Sequence, residues 1–225
     1  MKAVFWDFDG TLVHRNDESF CALREALQLN GYMIDDSYIR AALHIAHPWN
    51  HWETSYEDQT GEKWWDRLFS KLSEFYEQHG VMEVDKVNST YKKRILSFTC
   101  YTVYDDAALI LEYCKKQGYL NYIISNNYPE LPQAVEKLGL ADYFSGYMIS
   151  ADIGFEKPRP EIFRQAIAMA GNPEICYMVG DNPVADICGA KEAGMRTILV
   201  HSARGTSEDA DYNCESLAEI TEIVK

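Results

Sequence analysis

The stretch Lys2-Ala-Val-Phe-Trp-Asp7-Phe-Asp9-Gly10-Thr11-Leu12 constrains this chain most. A short apolar run ends on two carboxylates, and a glycine follows at once. Such runs are buried strands of a parallel sheet, which is covered on both faces. Ligands of such sheets bind beyond the carboxyl ends of the strands. Asp7 and Asp9 therefore fall where chemistry is expected. Residues two apart on an extended chain point the same way, so the two carboxylates converge. Like charges that close repel and call for a counter-charge, most simply a divalent cation.

The rest of the chain divides into two grammars. His14-Arg-Asn-Asp17 is a polar linker, and from about residue 18 to 97 the apolar spacing is helical. Phe20, Leu23, Leu27 and Leu29 make one helix that stops at Gly31. Asp35 or Asp36 caps a second, through Ile39, Leu43 and Ile45, which Pro48 ends. A third runs from Trp64 through Leu68, Leu72 and Phe75 to Gly80, and a fourth from Val84 to Leu96. No strand-like alternation interrupts them.

From about residue 98 strands and helices alternate. Asp105 is the expected cap of a helix reaching Gly118. Strands are expected at 119–124, 147–150, 176–179 and 197–200, and helices at about 129–138, 161–170, 184–193 and from 215 to the end. This pattern predicts an α/β fold, a Rossmann-like doubly wound parallel sheet. Its core is expected in residues 1–14 and 98–225, with a helical cap inserted at 15–97.

Bulk properties narrow the function. The chain has 225 residues, and 35 acids against 21 bases give a formal charge of −14. That argues against nucleic acid and anionic membranes as partners. An anionic small substrate remains possible, because distant charge is screened over roughly 8 Å at physiological salt. The six cysteines (Cys21, Cys100, Cys114, Cys176, Cys188, Cys214) form no C-x-x-C pair, as expected for reduced thiols in the cytoplasm. A core strand is expected from Ala3, which leaves no room for a signal peptide, and no apolar run suits a transmembrane helix.

Four strands end in, or are followed by, polar groups: Asp7/Asp9, Ser125/Asn126, Lys157, and Asp181 with Asp186. In a doubly wound sheet these meet in one crevice. Several carboxylates suit a hard cation, Mg²⁺ above all. Lys157 adds a compact positive charge, and Ser125 a hydroxyl beside backbone N–H groups. Together they describe a site for a phosphoryl group, whose transfer needs positioning and charge neutralisation. One carboxylate can attack as nucleophile and the other can act as general acid and base.

Asp7-Phe-Asp9-Gly-Thr11, Ser125-Asn126, Lys157-Pro-Arg-Pro and Gly180-Asp181-x-x-x-x-Asp186 resemble, in order, the four motifs of the haloacid dehalogenase superfamily. The inserted helices are similar to the cap of its C1-type (subfamily I) members. The resemblance implies that Asp7 is the nucleophile and a Mg²⁺ ligand. It makes Asp9 the general acid/base, with its carbonyl on the metal, and Asp181 the remaining protein ligand. Asp186 would bind through water or stand behind the ligands. Lys157 would bridge the phosphoryl group and the acids, and Ser125 and the Asn126 backbone would hold phosphoryl oxygens.

Family dehalogenases lack an acid two residues after the nucleophile and use no Mg²⁺, so Asp9 implies a phosphatase or phosphomutase. The expected function is Mg²⁺-dependent hydrolysis of a small phosphorylated metabolite through a phospho-aspartyl intermediate. Phosphoglycolate, sugar phosphates and nucleoside monophosphates all remain open as substrates. A phosphomutase of the β-phosphoglucomutase type and a non-catalytic binding module on the same fold are the alternatives. Phosphonate-hydrolysing relatives use a cap lysine, but Lys63, Lys71, Lys86, Lys92 and Lys93 fit solvated helix faces better. His44, His47 and His51 could suggest a second metal, although Pro48 breaks the helix between them; packing or substrate choice suits that loop better. Trp64 and Trp65 fit a helix face against the cap core, His14 an exposed linker, and Arg159 either a substrate contact or a salt bridge.

Overall fold

A computed structural model describes residues 1–203 and 205–225. The opening run forms β1 (Lys2–Trp6), buried from Ala3 onward. It lies between β2 (Tyr119–Ser125) and β4 (Ile175–Gly180), parallel to both. The whole sheet runs β3-β2-β1-β4-β5-β6, with β3 at Phe144–Ile149, β5 at Arg196–Val200 and β6 at Tyr212–Cys214. Trp6 pairs with both Ile123 and Val179, so the three central strands finish within two residues of one another. The Asp7 N–H continues the ladder to the Val179 carbonyl at 2.8 Å. That register brings the polar groups following each strand to a single edge.

Between β1 and β2 lie α1 (Glu18–Leu29), α2 (Asp36–Ala46), α3 (Lys63–Gln78), α4 (Val84–Ile95) and α5 (Ala107–Lys116). Each of the first four buries an apolar stripe. In α1 it is Phe20, Leu23 and Leu27, worth about 1.5–3 kcal/mol for each side chain removed from water. Asp35 caps α2, its side chain accepting from the Ser37 N–H. Gly31 takes up the left-handed conformation after α1, with φ of 86°. Trp6, Phe8 and Leu12 belong to the same buried cluster as Leu23, Leu68 and Tyr91, so one core joins this sheet face to the helical segment. The opposite face packs Phe5, Tyr122 and Ile124 against Phe163 of α8 (Pro160–Met169).

The helical segment touches the rest of the chain at defined points. Its two ends lie side by side: the His14 N–H donates to the Thr102 carbonyl at 2.8 Å, and Tyr104 N–H to the Leu12 carbonyl at 3.1 Å. A second contact ties its 52–61 loop to α7 (Ser150–Ile153) and the turn behind it. There Tyr56 N–H donates to the Gly154 carbonyl at 3.0 Å and Gly61 N–H to that of Ala151 at 2.9 Å.

Several expectations need correction. Asp106, not Asp105, stands before α5, and its carboxylate accepts from the Ala218 N–H instead of capping its own helix. Ser150 opens α7 rather than ending β3. The stretch expected as one helix from 184 to 193 is a π-turn, Pro183–Cys188, followed by α9 (Gly189–Glu192). The C-terminal segment is a 3₁₀ helix, Leu217–Glu222, because Leu217 and Ile220 are buried at a spacing of three. Strand β6 lies outside the expected strands; it has three residues, of which Tyr212 and Asn213 are exposed. Among the described residues no helix is long and apolar enough to cross a membrane.

Candidate active site

At the carboxyl edge of the central strands lies a crevice of about 1050 Å³, walled by both the sheet edge and the helical segment. Asp7, Asp9, Ser125, Asn126, Lys157, Asp181 and Asp186 all line it. Lys157 is buried between two acids, its Nζ 2.6 Å from Asp7 Oδ1 and 2.6 Å from Asp186 Oδ1. Burial works against the ammonium, but Asp186 and Asp7 outweigh it and raise its pKa above the ordinary value. The Thr11 hydroxyl donates to the other Asp7 oxygen at 3.2 Å.

Asp7, Asp181 and Asp186 each offer an oxygen within 4.8 Å of the others, and all three are buried. Burial raises the Asp186 pKa to about 7, against the pull of Lys157. Burial also raises Asp181, although Arg15 opposes it. Arg15 grips Asp181 with two bonds, Nε to Oδ2 at 2.7 Å and Nη2 to Oδ1 at 2.9 Å. The π-turn sets Asp186: its Oδ2 accepts from the Asn182 N–H at 2.9 Å while its own N–H donates to the Asn182 carbonyl. Gly180 makes room, because a Cβ there would sit 2.2 Å from Asp186 Cγ.

Asp9 faces the crevice with Oδ2 accepting from Asn127 Nδ2 at 2.7 Å. Burial, then Asp7 and Glu18, push its pKa up to about 7. Asn126 has a different partner. Its Oδ1 accepts from the Lys157 N–H at 2.7 Å and its Nδ2 donates to the Lys157 carbonyl at 3.0 Å. The side chain thus fixes the lysine's backbone. Just before the lysine, buried Glu156 accepts from the Tyr56 hydroxyl of the helical segment.

Four site neighbours have no role in the sequence motifs. Arg15 falls in the polar linker, where a cation just after the acid pair is its one signal. Thr11 lay inside the quoted motif. Asn127 directly follows Ser125-Asn126. Tyr101, whose hydroxyl is 2.6 Å from that of Tyr128, lies where no pattern marked it.

The cap histidines do not form a metal group among the described residues; the one cluster of that kind is the three aspartates. His47 is buried and stacked 4.1 Å from Trp49, and burial lowers its pKa to about 3. His44 and His51 rings are 6.1 Å apart. Trp64 meets Trp65 edge-on at 5.0 Å, and Trp65 Nε1 donates to Glu130. Neither tryptophan is on the crevice wall, in keeping with packing. His14 lies 3.8 Å from the Tyr104 ring. Arg159 pairs with Glu161 at 2.8 Å and donates to the Glu53 carbonyl, which favours the salt bridge over a substrate contact.

An open parallel sheet with acids, a lysine and amides gathered at its carboxyl edge is a Rossmann-like α/β protein with a ligand crevice at the strand ends. More narrowly, the haloacid dehalogenase-like hydrolase family matches residues 1–194, and the chain belongs to it. The chain is 39% identical to a phosphoserine phosphatase of Thermus thermophilus over 104 residues, a match spanning 44% of this chain and only 41% of that relative. It is 31% identical over 212 residues to a glyceraldehyde 3-phosphate phosphatase of Methanothermobacter thermautotrophicus, spanning 90% of this chain and 86% of the relative. In fold it is similar to a 2-haloacid dehalogenase of Pseudomonas syringae, with TM-score 0.72, 24% identity, and 99% and 97% of the two chains covered.

Proposed function

We propose that the protein is a cytoplasmic, Mg²⁺-dependent phosphatase that hydrolyses a small organic phosphomonoester through a phospho-aspartyl intermediate. The observation that carries this reading is Lys157, buried between Asp7 and Asp186 beside Asp181. The donor set suits magnesium: hard carboxylate oxygens, close together, in a crevice that also has room for phosphate. Asp7, the Asp9 carbonyl and Asp181 would hold the ion, with Asp186 bound through water or behind them. When bound, magnesium supplies positive charge against the phosphoryl oxygens.

Asp7 attacks phosphorus with the oxygen not held by Lys157, and Thr11 orients that carboxylate. Asp9, whose pKa of about 7 keeps much of it protonated at neutral pH, gives its proton to the leaving oxygen. The same carboxylate then takes a proton from water as water attacks the phospho-aspartate. Asn127 holds Asp9 in place for both transfers. Ser125 and the Asn126 N–H hold phosphoryl oxygens, and Lys157 balances their charge. Residues 1–14 and 98–225 form the catalytic core in this reading. Residues 15–97 form a cap that excludes bulk water and chooses the leaving group. Phosphatase names among the relatives agree with the reaction class.

The test is phosphate release from a panel of phosphorylated metabolites with Mg²⁺ present. Release from at least one sugar, polyol, amino-alcohol or nucleoside monophosphate is expected. Isomer exchange of a sugar phosphate without release would support the phosphomutase instead. No turnover of any ester, p-nitrophenyl phosphate included, would favour a binding module.

A further inference from the structure

Glu18 is not used by the reaction above, yet it stands on the wall of the same crevice. It is the first residue of α1, and its backbone N–H donates to Asn16 Oδ1 at 2.9 Å. An acid at a helix start is ordinary when water covers it. Here the residue is only 7% exposed. One carboxylate oxygen, Oε1, has no hydrogen-bond partner among the described residues. The Tyr101 hydroxyl, 2.6 Å from that of Tyr128, favours the ionised carboxyl from nearby. Arg94, whose charge pulls on it, is occupied by Glu25, Ser97 and Thr99. A buried acceptor left unpaired costs about 1–3 kcal/mol, and more for a charged one. A group of that kind in a ligand crevice asks for a donor.

The position says where that donor would come from. Glu18 and Asp9 line the same crevice, close enough for Glu18 to act electrostatically on the acid that serves the leaving oxygen in this reading. Tyr101 and Tyr128 line the same part of the wall. We propose that Glu18 is a specificity residue that accepts a hydrogen bond from a hydroxyl or ammonium group carried by the leaving alcohol. This rests on the phosphatase reading. It selects polyol, sugar and amino-alcohol phosphates, and it rejects alkyl phosphates and esters whose only further polar group is a carboxylate. A site built around such an acceptor discriminates strongly, because the analogue without the donor leaves it unpaired again.

The test compares kcat/KM for three esters of similar size: propyl phosphate, 2-hydroxyethyl phosphate and 2-aminoethyl phosphate. In the wild-type protein at least one donor-bearing ester is expected to exceed propyl phosphate by on the order of 10²-fold or more. Glu18→Leu should bring that ratio to within about threefold of one. Taking the ratio within each protein cancels any general loss of activity. Glu18→Gln separates the two donors: the hydroxyl preference survives an amide acceptor, whereas an ammonium preference falls about tenfold or more. A wild-type ratio near one, or a ratio that Glu18→Leu leaves unchanged, overturns the assignment while leaving the phosphatase reading intact. No phosphate from any ester, p-nitrophenyl phosphate included, removes both.

Discussion

Glu156 precedes Lys157 and is fully buried, with the Tyr56 hydroxyl on one oxygen. Burial raises its pKa from 4.5 to about 7; the bond from Tyr56 and the charge of Lys157 only moderate the rise. In the unfolded chain the carboxyl ionises through 4.5, while in the folded chain it keeps its proton to about 7. Between those values folding takes up a proton, so this group's contribution to stability falls as pH rises. The loss levels off above about pH 7, at about 3 kcal/mol for a rise of this size at roughly 1.4 kcal/mol per pH unit. From pH 5 to 8 it amounts to roughly 2.5 kcal/mol. Glu156→Gln removes the titration and keeps an acceptor for Tyr56. Urea unfolding of both proteins with chelator present, followed by tryptophan fluorescence at pH 5, 6, 7 and 8, measures the difference. Other titrating groups cancel in the comparison. The wild-type midpoint should fall by about 1 M urea more than the variant's, for a slope of 2–3 kcal/mol/M. Parallel midpoint curves for the two proteins would refute the reasoning.

Three further outcomes are expected. Asp7→Asn should abolish turnover and leave no acid-stable phosphoryl label on the protein; appreciable phosphate release from that variant would mean another group attacks. Asp9→Asn should slow an alkyl phosphate by about 10²-fold or more while sparing phospho-enzyme formation from p-nitrophenyl phosphate, whose leaving group needs no proton; rapid-quench measurements that find equal losses would deny the acid role. Arg15 occupies both oxygens of Asp181, so Arg15→Met should tighten Mg²⁺ binding severalfold in titration calorimetry, and weaker binding would count against competition for that carboxylate.

The sheet was legible because β1, β2 and β4 are buried on both sides and read as continuous apolar runs. The helices between Glu18 and Ile95 were legible because each shows one apolar stripe, and the first three end near a glycine, an asparagine or a proline. What periodicity could not carry was local hydrogen bonding. The π-turn at Pro183–Cys188 keeps a helical apolar pattern, yet its purpose is to turn Asp186 onto the Asn182 N–H. Strand β6 is a three-residue strand at the sheet edge beside β5, mostly exposed and without alternation. Within the site, motif order placed Asp7, Asp9, Ser125, Asn126, Lys157, Asp181 and Asp186 at the strand ends, and all line one crevice. Arg15, Asn127, Glu18 and Tyr101 escaped because they earn their places through three-dimensional neighbours, not through spacing.

The side-by-side ends of the helical segment have a wider consequence. The chain enters the helical segment after Val13 and leaves it before Val103, and these two residues form an isolated antiparallel bridge. To the sheet, everything between them is the tip of a hairpin. Closing such a loop depends only weakly on its length, about 0.6 kcal/mol for each doubling. Segments of other lengths can therefore be exchanged at this junction with little change in what the sheet must do to fold. On the proposed reading, the parts that make and break the bond to phosphorus and the parts that would judge the alcohol can then vary on separate schedules.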